Sequence, residues 1–573
     1  MNYYLIIIYF KKKHKKKMKV QKDYKAIFSS IGTSTNSQTE KQVNVEREEF
    51  GLSLRKKKMN NFLMKKREKN LEDKQTNNLS KSPYEIIPEN LALSEEIKNK
   101  KYNSPSSFID SMIILLNSKN INENKFAIYN IRQQILRKDF PIEQMYNRNI
   151  VDKLMYILYE NINSYDIIYE VTWSLINFSI KVNNVNLMIF LTNKGCVQIY
   201  IKIFDYNDKY LTENVLWLIS NCIIGCEIAM ENLFLTSIIR NYILQFIEVS
   251  NMNFTIQKIC IRILSSFTLY LNSIYKINQI DHLKKTFLND NIQITDEMLE
   301  ENINYLEEHF TSIFIKYLND NNINDDEIIN DCLYGLSFLS NSLNLKVHKL
   351  LLSSGIIIKI IRKEINYNKE FYQIILQILG NLFSNFIGTI DESLIEEINL
   401  FLLNFLKMNE PNIKREVLWA LSNLLCLPNV NIQNIINSGI VPYIIQSLTK
   451  DKNNIGIEAL YILGNILEHD DYINVVISFA KNIEIIKILI SVIDKFYDDY
   501  IALQLILDMF NKLFEIGKKY SNLTQDKNIF LEEFQVNGGN SYLEKLQGYK
   551  NQEVYNSLEN ILRVYFNTTT MGI

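Results

Sequence analysis

From about residue 106 onward, apolar residues recur at spacings of three and four, and clusters of Asn, Asp and Lys interrupt them every dozen or so positions. That is the signature of helix following helix, each with an apolar face to bury. Four segments along this stretch resemble one another: EVTWSLINFSI (170–180), ENVLWLISNCI (213–223), EVLWALSNLLC (416–426) and EALYILGNILE (458–468). Each carries a Glu, an aromatic residue three or four positions further on and an Asn four positions after that, inside an apolar helix. Anchored on the aromatic position, the series runs Trp173, Trp217, Arg262, Tyr334, Gln377, Trp419 and Tyr461, in steps of 44, 45, 72, 43, 42 and 42. The period is that of an armadillo or HEAT unit, and the long step is one period plus an insertion around residues 270–300. An earlier unit (125–145) and a later one (503–519) bring the array to about nine or ten repeats. Gly195, Gly355 and Gly439 fall between anchors, where a left-handed residue would end one helix and start the next. The pattern predicts an all-α, armadillo-repeat, right-handed superhelical solenoid over residues 106–573, with a capping repeat around 530–573.

Composition agrees and adds a division. A chain of 573 residues is too long for one hydrophobic core but suits stacked repeats, and only 7 Pro and 16 Gly disfavour a turn-rich β fold. The formal charge of −1 is the sum of two unlike parts: residues 1–74 carry +12 and residues 75–573 carry −13. Residues 1–45 read as a disordered basic extension, and Met18 is an alternative start that would make 1–17 a start-site artefact. Residues 46–74 form a basic, weakly apolar helix-former that should order on a partner. Pro83, Pro88 and Pro105 mark residues 75–105 as a linker.

Little in the sequence suggests catalysis. The five histidines are isolated, and there is no HExxH, GxSxG or Gly-rich phosphate loop. The six cysteines are scattered in apolar stretches and read as buried thiols; Cys222 and Cys226 share a helix face but have no second pair to complete a metal site. The opening run MNYYLIIIYF precedes its lysines, the wrong order for a secretory signal, and is too short to cross a bilayer. No enzyme activity and no cofactor are expected.

The repeated residues suit binding instead. Residues four apart share a helix face, so aromatic, Asn and the preceding Glu would form a ladder along the closing helices of the repeats. Asn offers a donor and an acceptor to the backbone of an extended peptide. Stacked rings make slots for Lys and Arg stems, worth roughly 0.5–2 kcal/mol each in cation–π attraction, and carboxylates meet the cationic heads. Against this stands plain packing, the commoner use of a Trp at helical spacing. The Asn recurring at 177, 221, 381, 423 and 465 is harder to explain by packing, since a buried amide needs partners.

A basic head, a linker, an array of about 42-residue helical units and a closing tail, in that order, resemble importin-alpha, the armadillo adaptor for cargo bearing nuclear localisation signals. LRKKKMNNFLMKKREKN (54–70) looks like the core of that family's importin-beta-binding segment, with the upstream Arg run reduced to Arg47, and YLEKLQGYKNQEVYNSLENILRVYF (542–566) is similar to its closing repeat. The resemblance implies a nuclear import adaptor that shuttles between cytoplasm and nucleus. Its partners would be importin-beta, basic cargo and the export receptor that recycles it, with no membrane or specific nucleic acid bound.

It also implies roles for residues. The major signal-binding groove would use Trp173, Asn177, Trp217, Asn221 and Glu170. The minor groove would use Trp419, Asn423, Tyr461, Asn465, Glu416, Glu458, Asn381 and Tyr334, the last beside Phe338 in a repeat whose Asn is normally aromatic. Arg47, Arg55, Lys56, Lys57, Lys58, Lys65, Lys66 and Arg67 would bind importin-beta, and the last three match an autoinhibitory, cargo-mimicking triplet. The chain departs from the pattern at Lys181, Gly225, Arg262 and Ser266 in the major groove and at Gln377 in the minor, which makes the minor groove the better preserved. The alternative is a divergent armadillo scaffold that binds other proteins without import activity.

Overall fold

The computed structural model describes residues 84–566, apart from 277–295 and the loop positions 138, 183, 225, 250–252, 366–368, 387, 409, 470–471 and 525–526. Among the described residues every regular element is a helix. Most of the chain is built from three-helix units: two shorter helices and a longer one that closes the unit. One unit, for example, consists of Val185–Leu191, Lys194–Asp205 and Lys209–Ile223. This is armadillo anatomy at armadillo spacing.

We number only the closing helices: α1 Ile121–Leu136, α2 Tyr165–Lys181, α3 Lys209–Ile223, α4 Phe254–Lys276, α5 Asp326–Leu339, α6 Tyr372–Asn385, α7 Pro411–Leu424, α8 Asn453–Leu467, α9 Tyr500–Thr524 and α10 Gln552–Tyr565. The described residues fall into two compact units that divide between Leu339 and Ser340. In the first, α1 to α5 pack each on the next; in the second, α6 to α10 do the same.

The polar clusters that interrupt the apolar pattern are helix caps. Asn120, Asn184, Asn193, Asp208, Asn344, Asp391, Asn431, Asn528 and Asn551 each sit at an N-cap, with the side-chain oxygen accepting a backbone N–H of the first turn. Ser104 makes a reciprocal capping box with Ser107, and Pro105 follows at the first helical position, so the first helix of the array starts there. Gly355, Gly439 and Gly538 take φ of 71°, 87° and 79° in the turns between helices. Gly195 corrects the expectation: it lies in the first turn of Lys194–Asp205, capped by Asn193, and the left-handed positions elsewhere include Asn149 and Glu484.

The closing helices α2, α3 and α5 are buried on almost every side, whereas α10 buries only Val554, Leu558 and Ile561. In α2, Ile167, Ile168, Val171, Leu175 and Phe178 are fully enclosed, and so are Thr172 and Ser174, whose hydroxyls bond back to carbonyls one turn earlier. Cys222, Cys260 and Cys332 lie in the same interior, where burial raises their thiols well above the usual range. Around the insertion, the pattern of two short helices gives way to one long helix, Asp296–Asn319, which packs on both α4 and α5.

The proline-marked linker is not free from residue 84 onward. Tyr84 stacks on Tyr165 at 5.3 Å and donates to Asp208 at 2.8 Å, while Ile86 is buried. The Ile86 N–H donates to the Glu170 carboxylate at 3.1 Å, and Glu85 pairs with Arg132 at 2.8 Å. Residues 84–86 therefore strap α1, α2 and α3 together. Arg132 also forms a bidentate pair with Glu170, which is 0% exposed. Glu170→Gln would leave a buried guanidinium half-paired and should cost roughly 3 kcal/mol, whereas Glu85→Gln at the edge should cost about 1 kcal/mol or less. Denaturant midpoints of the two variants test this; equal, small shifts would show that the buried pair does not hold the strap.

Candidate functional site

The ladder positions exist as columns on the closing helices, and the two units treat them differently. In the first unit the rungs are enclosed: Trp173 is 8% exposed, Trp217 2%, and Asn177 and Asn221 3% each. Asn177 donates to the Trp173 carbonyl one turn back at 2.8 Å, and Asn221 reaches to α2, donating to Ser179 Oγ at 3.0 Å. Glu170 is consumed by Arg132 and the strap. It does not face a ligand, which corrects its expected role at the end of a slot. Tyr334 is likewise buried, edge-on to Phe338 at 4.9 Å, and is not a groove surface.

Arg262, which stands where the pattern calls for a ring, fills a slot itself. Its guanidinium lies 5.5 Å from the centre of the Trp217 ring. On its other side it pairs with Asp331 at 3.0 Å and Glu327 at 2.9 Å, and Lys258 adds contacts to Glu327 and Asp325. The guanidinium is thus held between an aromatic face and two carboxylates, all supplied by the protein itself. Ser266 returns its hydroxyl to the Arg262 carbonyl at 3.1 Å. Lys181, the other anomalous cation, reaches back to α1 and donates to the Ile135 and Arg137 carbonyls, capping that helix's C-terminus.

In the second unit the ladder stays partly open. Trp419, Asn423, Tyr461, Asn465, Glu458 and Asn381 are all half-buried. Asn423 and Asn465 donate to the helix one repeat earlier, to the Gly380 carbonyl at 3.2 Å and the Ser422 carbonyl at 2.9 Å, and Asn381 donates to Ser340 Oγ at 3.2 Å. The amides that packing alone did not explain are thus stitches between repeats. For Asn423 and Asn465 one amide hydrogen is committed in this way, out of the two donors and one acceptor oxygen each side chain carries. Glu416 corrects the expectation as Glu170 does: it is 0% exposed, with Arg415 at 3.5 Å, whereas Glu458 is half-buried.

Trp419 owes its position to a missing side chain. The ring lies across Gly380 of α6, where a Cβ would fall 2.0 Å from Cζ3. The sequence pattern found Trp419 and Asn381 but gave Gly380 no role, because the constraint is imposed by a neighbour 39 residues away. Gly225 and the basic head residues Arg47, Arg55–Lys58 and Lys65–Arg67 lie outside the described residues.

Comparisons with known proteins support the fold and no family. No family model matches the sequence, and no curated protein matches it. A crystal structure of an engineered protein is similar with a TM-score of 0.57 and 15% identity, over 80% of this chain and 98% of that chain. A structure from work on a phosphorylation switch that controls the interaction between cadherin and beta-catenin covers 80% of this chain and 94% of that chain, at 14% identity. Its TM-score of 0.46 is too low to carry an argument.

Gly380→Ala should push the Trp419 ring off α6 and cost about 1–3 kcal/mol, as overpacking does. Because Trp173 and Trp217 are buried in the other unit, the change in tryptophan emission should match that of Trp419→Phe in origin. An unaltered spectrum and denaturation midpoint would show that Gly380 does not seat the ring.

Proposed function

We propose that this protein is a peptide-binding armadillo adaptor of the nuclear import type, with residues 340–566 holding its working groove. The observation that carries the reading is the half-open ladder Trp419/Asn423 and Tyr461/Asn465, in register with the repeat and stitched so that each ring and amide is held in place. Rigid rings offer slots to Lys and Arg stems, the amides address a peptide backbone, and Glu458 lies one turn before Tyr461. The buried first ladder, with Arg262 already in its slot, adds little to binding. In this reading the basic segment 46–74 engages importin-beta, and Lys65, Lys66 and Arg67 compete with cargo for the groove from a tether. The adaptor would shuttle between cytoplasm and nucleus, returned by the export receptor of the family.

Arg262 also favours a second reading, a divergent armadillo scaffold without import duty, since a slot filled from within has no need of cargo. The two readings share the peptide groove and differ in the N-terminal segment. A peptide of residues 40–75 should bind importin-beta; absence of binding leaves only the scaffold.

For the groove itself, Trp419→Ala with Asn423→Ala should weaken binding of a lysine-rich peptide tenfold or more, about 1.4 kcal/mol. The milder pair Trp173→Leu with Asn177→Ser should change it less than about threefold. Fluorescence anisotropy of the full chain measures both, and the reverse order would move the working groove to the first unit.

A further inference from the structure

The ladder columns continue past Tyr461 and Asn465 onto residues of a different kind. In the repeat register, Gln504 of α9 takes the ring position and Asp508 the amide position; on α10, Glu553 and Ser557 follow. The register of the two helices is set by contacts: Ser557 Oγ donates to Asp508 Oδ1 at 3.0 Å, and Asn560 meets Asn511 at 3.5 Å. Glu553 therefore stands opposite Gln504, one turn before Ser557.

Three oxygens on these two helices have no hydrogen-bond partner. Gln504 is 6% exposed, and its Oε1 has no hydrogen-bond partner. Asp508 Oδ2 and Glu553 Oε2 are also buried and unpartnered. The nearby cation, Lys512, turns to Glu468 at 3.0 Å. Buried oxygens left this way cost stability and call for a donor. The local electrostatics agree: burial, with Glu468 adding repulsion, pushes the Asp508 carboxyl up to about 6 despite the Ser557 hydrogen bond. Among the described residues no set of three or more His, Cys, Asp or Glu is arranged to hold a metal ion.

We propose that the α9–α10 seam, built from Gln504, Asp508 and Glu553, is a binding slot for a cationic side chain, the Lys or Arg of an extended basic peptide lying on the second ladder. An ammonium or guanidinium has only donors, so it can satisfy three acceptors at once. The slot rests on the reading of residues 340–566 as a peptide groove and extends it by two closing helices. Helices pack roughly 10 Å apart and an extended chain covers roughly 3.3 Å per residue, so the seam lies four or five residues beyond the Tyr461 slot.

The test uses the full chain and two fluorescent probes, tetralysine, which spans the Trp419 and Tyr461 slots, and octalysine, which also reaches the seam. Asp508→Asn with Glu553→Gln should weaken octalysine about tenfold, the worth of one charge-assisted hydrogen bond, and leave tetralysine within about twofold. A control of equal charge on the exposed surface, Glu532→Gln with Glu544→Gln, should move octalysine by less than about twofold. Equal losses in the seam and control variants, or no loss in the seam variant, would overturn the slot. If tetralysine does not bind but octalysine does, and is sensitive to the seam variant, the slot stands and the Trp419 groove falls.

A second measurement needs no peptide. The groups acting on Asp508 are Ser557 on α10, which donates to it, and Glu468 just beyond the end of α8, which is itself paired with Lys512 of α9. Its folded pKa lies above the ordinary carboxylate value, so the folded state gains from its protonation at low pH and loses that gain as pH rises through about 6. Asp508→Asn should therefore raise the thermal midpoint at pH 7.5 and lose this advantage below about pH 5. A midpoint unchanged at pH 7.5 would show that Asp508 already has a donor, and the slot would be lost.

Discussion

Stacking of the closing helices governs the polar chemistry of this protein. A helix inside a stack packs on the closing helix before it and the one after it, so a polar side chain at either contact has little access to water. Its partner must come from its own helix or from the helix next to it in the stack. Asn221 meets Ser179, Asn423 meets the Gly380 carbonyl, Asn465 meets the Ser422 carbonyl, and Lys181 caps α1; in each pair the partners lie 42–46 residues apart. The repeat period is therefore written twice, once in the apolar pattern and once in these hydrogen bonds. A substitution at one rung is felt by the rung before it.

The same constraint separates the two ladders. In the first unit the buried cations of the closing helices are matched internally by ion pairs, Arg132 with Glu170, and Arg262 with Glu327 and Asp331. Matched charges in a dry interior are specific in geometry but have little left to offer a ligand. In the second unit the rings and amides are held by stitches on one side and remain partly exposed on the other. At its far end, where amides give way to Gln504, Asp508 and Glu553, three oxygens have no hydrogen-bond partner. Closed and matched, half-open and stitched, and unmatched are three outcomes of one rule applied to different side chains.

Much of this was legible from residue order. The helix period, the 42–45-residue spacing and the register of Trp419, Asn423, Tyr461 and Asn465 all follow from local pattern, because they repeat. What misled was facing. Glu170 and Glu416 share a helix face with their tryptophans in sequence, yet both are fully buried. A helical wheel gives the direction in which a side chain leaves its helix and says nothing of what covers it. Gly380 and the strap at Tyr84–Ile86 were missed for the same reason, since each acts on a residue 39 or more positions away.

Residue order was enough for the class of fold, the approximate number of units and the identity of each rung, because hydrophobic period and repeat spacing are properties of neighbours along the chain. Which rungs are open was settled by packing. Exposure depends on whether Arg262 finds Trp217, Asp331 and Glu327, whether residues 84–86 lie down on α1 to α3, and whether Gly380 leaves room for a ring. Those are contacts between residues far apart in the chain, set by packing, and no local pattern encodes them.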